Sequence, residues 1–176
     1  MAERNSEYER QPADDYATPG WVTRALLAAY PFPRTIWEPA PGRGDMVQTL
    51  VAFGHNVIAG DGDFLKSQTT TARAIITNPP YNLADQFVRH AIELMRPVNG
   101  SVAMLLPLAW STAKSRRDIF ADSPIFRQKL ELTRRIRWAN LEQKASGPSQ
   151  NHAWYVWDWG PVNGTAEIGW LAGGEA

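Results

Sequence analysis

Short apolar runs alternate along this chain with Gly/Pro-punctuated loops and stretches of helical periodicity, a pattern that admits few architectures. Ser101 to Leu106 is a nearly continuous apolar run, as expected for a strand covered on both faces of a sheet. Ala74-Ile75-Ile76-Thr77, Thr35-Ile36-Trp37 and Asn56 to Ala59 read as shorter strands. Helical spacing joins Trp21, Val22, Ala25, Leu26 and Leu27, and Pro31 and Pro33 end that helix. From Asp45 to Phe53, Met46, Leu50 and Phe53 share a face, and Gly54 terminates the segment. A third helix carries Phe87, Ala91, Leu94 and Met95 on one side and ends near residues 97–100. Strand, loop and helix in repetition predict an α/β fold: a mostly parallel, twisted sheet with helices on both faces. Further on, Arg116 to Phe120 reads as helix. Leu130 to Trp138 and Ala153 to Trp159 read as strands, Glu167 to Leu171 as a last short strand, and residues 144–150 as a mobile loop.

The chain has 176 residues, the size of one domain, with little room for a separate substrate module. Residues 1–15 hold five acids and two bases, the composition of a flexible acidic arm, so the expected folded domain is 16–176. A hydrophobic content of 44% excludes wholesale disorder. The absence of cysteine excludes disulfides, thiolate metal sites and cysteine nucleophiles. No run approaches the ~18 apolar residues of a membrane span. The first residues lack the apolar core of a secretory signal, so the expectation is cytoplasmic. Tryptophan is abundant, and rings such as Trp110, Trp138, Trp154, Trp157 and Trp159 are expected to fill the core.

Asn78-Pro79-Pro80-Tyr81 follows an apolar strand directly. At the carboxyl edge of a parallel sheet, ligands bind. There Asn78 offers a side-chain carbonyl, the prolines fix φ and remove backbone donors, and Tyr81 offers a flat face. Such a turn can grip a planar group bearing an amino nitrogen. Two acceptors take its two N–H hydrogens and a ring stacks on its plane. A second segment, Glu38-Pro39-Ala40-Pro41-Gly42-Arg43-Gly44, puts G-x-G between a strand and a helix, where glycine lets backbone approach a ligand. Asp61 lies 23 residues after Glu38, near the ~20 expected for an acid that bonds ribose hydroxyls.

On these segments the chain resembles the amino-methyltransferases that use S-adenosylmethionine. Among them it resembles the N6-adenine DNA methyltransferases, in the small form typical of bacteriophages and prophages. The likeness covers most of residues 16–160. Asn78-Pro79-Pro80-Tyr81 is similar to the catalytic motif, Glu38 to Gly44 to the cofactor loop, and Tyr16-Ala17-Thr18-Pro19 to the segment at the cofactor's methionine end. Asn151-His152-Ala153-Trp154-Tyr155-Val156-Trp157 resembles the closing strand. The resemblance implies a Rossmann-like methyltransferase fold with an antiparallel strand near the C-terminus, S-adenosylmethionine as cofactor, and DNA with a flipped-out adenine as partner. A phage-encoded protein would work in the bacterial cytoplasm. Asn78, Pro79, Pro80 and Tyr81 would be catalytic. Tyr16, Thr18, Pro19, Glu38, Pro39, Ala40, Gly42, Gly44, Asp61, Asp63, Phe64 and Asn78 would line the cofactor site. The family pattern has a third strand between the ribose acid and a second acid. Here Asp61 and Asp63 fall in one segment, so that strand is expected to be missing.

Equal numbers of basic and acidic residues, 18 each, argue first against nucleic acid. The total hides an asymmetry. Residues 110–145 carry nine Lys/Arg and four acids, a net of 9 − 4 = +5, against 2 − 5 = −3 for residues 1–15. Arg116, Arg117, Arg134, Arg135 and Arg137 are the candidate phosphate contacts, with Tyr81 on the target base. His55, His90 and His152 do not have the spacing of a metal site, so no metal is expected. Two other readings stay open: methylation of an RNA base or a protein glutamine, and a catalytically degenerate fold that only binds DNA or protein.

Overall fold

A computed structural model describes residues 17–138, 150–161 and 164–172. It contains helices α1 (Gly20–Ala29), α2 (Asp45–Ala52) and α3 (Ala84–Met95). The strands are β1 (Thr35–Glu38), β2 (Asn56–Ala59), β3 (Ala74–Thr77), β4 (Ser101–Pro107), β5 (Phe126–Leu132), β6 (His152–Asp158) and β7 (Glu167–Leu171). They form one seven-stranded sheet in the order β2-β1-β3-β4-β6-β5-β7. β6 pairs antiparallel with both β4 and β5, whereas the β1–β2, β1–β3, β3–β4 and β5–β7 pairings are parallel. The expected α/β architecture, with its reversed strand near the C-terminus, is the one observed.

Strand alternation divides the core into two layers. On one face Val22 and Leu26 of α1 and Met46 and Leu50 of α2 pack on Ile36, Ile76, Leu105, Trp154 and Val156. On the other, Phe87, Val88, Ala91 and Met95 of α3 pack on Ile75, Val102, Met104, Tyr155 and Trp157. Trp154 and Trp157 are fully buried, and each indole N–H is satisfied: Trp154 donates to the Val22 carbonyl at 3.0 Å and Trp157 to that of Ile119 at 2.6 Å. Trp170 is the exception, 68% exposed on β7.

Several sequence expectations need correction. Phe53 sits just beyond α2 and is 49% exposed instead of sharing the buried face of Met46 and Leu50. The strand expected at residues 130–138 starts earlier, at Phe126, and stops at Leu132. Its polar first half, Arg127-Gln128-Lys129, hides the signal because tertiary pairing with β6 sets the strand, not propensity. Thr133 then turns its amide and hydroxyl onto the Leu171 carbonyl, which closes the ladder. The helix expected at Arg116–Phe120 is present as a tight 3-10 segment, Lys114–Ile119. Between β2 and β3, all of it described, the only regular element is the 3-10 turn Phe64–Lys66, so no strand intervenes, as expected. The acidic arm and residues 144–149 of the expected mobile loop lie outside the described residues.

The two indoles of β6 anchor opposite layers of the core. Trp157→Ala should therefore destabilise the fold by about 3–5 kcal/mol, measured by urea denaturation. A loss below about 1 kcal/mol would mean that the layer repacks around the void.

Candidate active site

The chain reverses its direction of sheet growth at β1: β2 lies to one side and β3 to the other. The crevice outside the strand ends at such a point is where open α/β sheets bind ligands. A cleft of about 540 Å³ opens there. Its lining joins segments far apart in sequence: Thr18 before α1, Glu38 to Gly42 after β1, Gly60 to Gly62 after β2, and Asn78 to Tyr81 after β3.

Glu38 is the buried floor of this cleft, 1% exposed. Its Oε1 accepts the Thr77 hydroxyl at 2.5 Å and the Ala40 amide at 2.9 Å, while Oε2 has no hydrogen-bond partner among the described residues. Burial pushes the carboxyl up to about 8, against the lowering effect of those two hydrogen bonds. The turn beyond it depends on glycine. Gly42 and Gly44 have φ of 51° and 86°, and Gly44 caps α2. A Cβ on Gly60 would stand 2.5 Å from the Pro39 carbonyl oxygen, so that close approach admits no side chain.

At the facing wall, the Asn78 amide nitrogen donates to the Thr18 hydroxyl at 3.2 Å. The Asn78 carbonyl oxygen is buried and has no partner among the described residues. Pro79 is buried, Pro80 half-buried, and Tyr81 38% exposed. The sequence motif is thus folded into a turn that holds one acceptor ready beside a flat ring.

The other expected site residues divide. Thr18, Glu38, Pro39, Ala40, Gly42, Asp61 and Asn78 line the cleft. Gly44 and Pro19 do not; they start α2 and α1. Asp63 is engaged locally, where its carboxylate takes the Leu65 amide at 3.1 Å and Lys66 at 3.1 Å. Phe64 is in the core against Trp37 and Phe87. Both face a second cavity of about 490 Å³ that shares Pro39, Gly60, Asp61 and Gly62 with the cleft. Tyr16 lies outside the described residues. Ala17 and Pro41, inside the two expected cofactor segments, also line the cleft, as do Asp45, Met46, Gly60 and Gly62, which were not among the expected site residues. Asp45 had a signal, since it follows the G-x-G turn directly and opens α2; Met46 reads only as a core position.

The basic residues divide as well. Arg116 is held by Asp85 at 3.2 Å, by the Trp110 carbonyl at 2.8 Å and over the Trp110 ring at 4.0 Å, and Arg117 pairs with Asp122 at 2.8 Å. Arg134, Arg135 and Arg137 are exposed and follow β5 at the same sheet edge as Asn78. Arg134 stacks over Trp21 at 5.5 Å, and Arg135 donates to Asn151 at 2.9 Å. His152 opens β6 at that edge. Burial pushes its ring down to about 4, opposed in part by the Gln150 backbone, so the ring is neutral at physiological pH.

By sequence the chain matches no family model and no curated protein. By structure it is similar to a protein described as an RNA methyltransferase from Pyrococcus horikoshii, with a TM-score of 0.63 and 16% identity over 85% of this chain and 90% of that one. It is also similar to the methyltransferase subunit of a type I restriction-modification system from Streptococcus thermophilus, with a TM-score of 0.54 and 14% identity. That likeness covers 87% of this chain but 45% of the subunit. The 23S rRNA methyltransferase ErmE is a third, with a TM-score of 0.51 and 15% identity over 78% of this chain and 66% of that one. The fold is the Rossmann-like one of methyltransferases.

The carboxyl of Glu38 has an ordinary value of 4.5 and keeps its proton to about 8 in the fold, so between those values the native state binds more protons than the unfolded chain. Stability of the unliganded protein should fall as pH rises through that window. Glu38→Gln should flatten the dependence and melt above the parent protein beyond pH 8. Parallel melting curves for the two proteins across the window would assign the dependence to other groups.

Proposed function

We propose that this protein transfers a methyl group from S-adenosylmethionine to the N6 amino group of adenine in DNA. The observation that carries the reading is the state of Asn78. Its amide nitrogen is engaged by Thr18, and its carbonyl oxygen is left as a buried acceptor with no partner among the described residues, next to Pro79 and Tyr81.

The cleft suits the cofactor on two counts. The orphaned Oε2 of Glu38 is placed to accept from an ammonium group, whose charge would draw off the carboxyl's proton, and Gly42 and Gly60 present backbone without a side chain at the cleft wall. Glu38, Ala40, Gly42, Asp61 and Thr18 would hold it. When bound it supplies an electrophilic methyl on a sulfonium. The chain's own residues do the rest. An exocyclic amine conjugated to a purine is a poor nucleophile. Hydrogen bonds from it to the Asn78 side chain and the Pro79 carbonyl localise its lone pair and stabilise the positive charge that develops on nitrogen. Its surplus proton leaves to solvent after transfer, so no base is required. Tyr81 stacks on the purine, which offsets about 1–3 kcal/mol of the cost of taking a base out of a duplex. Arg134, Arg135 and Arg137 supply the basic rim for phosphate.

The same grip serves an adenine in RNA, and two of the structurally similar proteins are described as acting on RNA. Identification of the methylated product by mass spectrometry separates the readings. Absence of affinity for S-adenosylmethionine in calorimetry would leave only the reading as a binding module without activity.

The deciding experiment is transfer of labelled methyl to adenine-containing DNA. Asn78→Ala should lower turnover by about 10²-fold or more; equal activity in that variant would sink the mechanism. Neutralising Arg134, Arg135 and Arg137 together should weaken DNA binding and reduce the salt dependence by about one counterion per lost contact. An unchanged slope of affinity against salt would place the phosphate path elsewhere.

A further inference from the structure

One buried polar side chain at the rim is not used by the chemistry above. His152 begins β6 and pairs in register with Pro107 of β4. It is 4% exposed, and neither ring nitrogen has a hydrogen-bond partner within normal distance among the described residues. Apart from the Gln150 backbone, what touches the ring is aromatic. Tyr81 lies at a centroid distance of 5.8 Å, tilted by 31°, and Trp138 meets it edge-on at 5.5 Å and 82°. Tyr81 lines the cleft and His152 does not, so the imidazole stands behind the tyrosine.

The two rings differ in how firmly their backbones are held. His152 belongs to a seven-residue strand hydrogen-bonded on both sides, and it can move only if that ladder slides. Tyr81 opens the three-residue 3-10 turn Tyr81–Leu83, which has no side-chain cap. A flat ring on so short a turn takes its plane from what it leans on, because aromatic contacts favour defined tilts. With no hydrogen bond of normal length at either nitrogen, His152 acts on Tyr81 through its shape.

We infer that His152 is a positioning residue: its ring backs Tyr81 and sets the plane on which a flat target group is held. The inference rests on the reading of Asn78 to Tyr81 as the target-binding tip. Flatness is the property that matters. Phenylalanine should serve in place of His152, while alanine leaves a gap and leucine fills it with a shape that is not flat.

The test uses the full chain labelled with fluorotyrosine, with the Tyr81 ¹⁹F resonance assigned through Tyr81→Phe. His152→Ala should melt near the parent protein and bind S-adenosylmethionine with unchanged affinity. It should shift or broaden the Tyr81 resonance. It should also lower kcat for the methyl acceptor by about tenfold or more, toward the ~10²-fold loss that a misplacement near 1 Å produces. His152→Phe should restore both the resonance and the turnover. A Tyr81 signal unmoved in His152→Ala overturns the inference, and so does failure of His152→Phe to restore it. If His152→Ala does not fold, His152→Leu replaces it, with the same shift expected and an unmoved signal again decisive. If the parent protein methylates no nucleic acid, the functional reading falls by itself. The ¹⁹F signal still decides whether His152 sets the Tyr81 ring.

Discussion

The arrangement at the sheet's crevice depends on one buried carboxyl. Glu38 ends β1, and its Oε1 gathers the Thr77 hydroxyl from the end of β3 and the Ala40 amide from the loop that follows β1. Two pieces of chain are thereby fixed to one oxygen at the end of β1. Thr77 directly precedes Asn78, so the position of the Asn78 turn is tied to that of the glycine loop. Burying a carboxyl is costly unless it is hydrogen-bonded, and here one oxygen is satisfied and the other has no partner among the described residues. That half-satisfied state explains why burial keeps the group protonated well above the usual carboxylate range.

The reversed strand β6 does the corresponding work on the other half of the sheet. Running between β4 and β5, it sends Trp154 into one core layer and Tyr155 and Trp157 into the other. Each of the two tryptophan N–H groups finds a backbone carbonyl, so the large rings are buried without leaving a donor unpaired. Because β6 runs opposite to its neighbours, its first residue, His152, arrives at the edge where β3 delivers Tyr81. The strand that closes the core is also the strand that reaches the candidate active site.

Much of this was legible in the residues. The strands at 35–38, 56–59, 74–77 and 101–107 follow apolar runs, because strands buried on both faces leave little room for polar side chains. The Asn78 turn and the Glu38 loop were visible because both combine rigid or permissive backbone residues with a chemically useful side chain. β5 was misplaced because half of it is polar and is specified by its partner β6. The separate roles of Asp61 and Asp63 were not visible either. Two acids two residues apart look alike in sequence, and only the turn at Phe64 assigns one to the cleft and the other to Lys66. The same holds for the arginines: Arg116 and Arg117 are occupied by Asp85 and Asp122, while Arg134, Arg135 and Arg137 stand at the carboxyl edge.

Fold class and the chemical character of the tip were thus written in the order of the residues. Alternating apolar runs and helical periods admit few architectures, and Asn-Pro-Pro-Tyr after a strand makes a stiff turn that offers an acceptor beside a flat ring. Everything that depends on which distant groups meet was settled by the folded sheet. Folding brought Thr18 to the amide nitrogen of Asn78, left the oxygen of Asn78 and one oxygen of Glu38 unpartnered among the described residues, and set His152 behind Tyr81. Hydrogen bonds and ring contacts act over a few ångströms, whereas these partners are separated along the chain by tens of residues, so only the tertiary arrangement could bring them together.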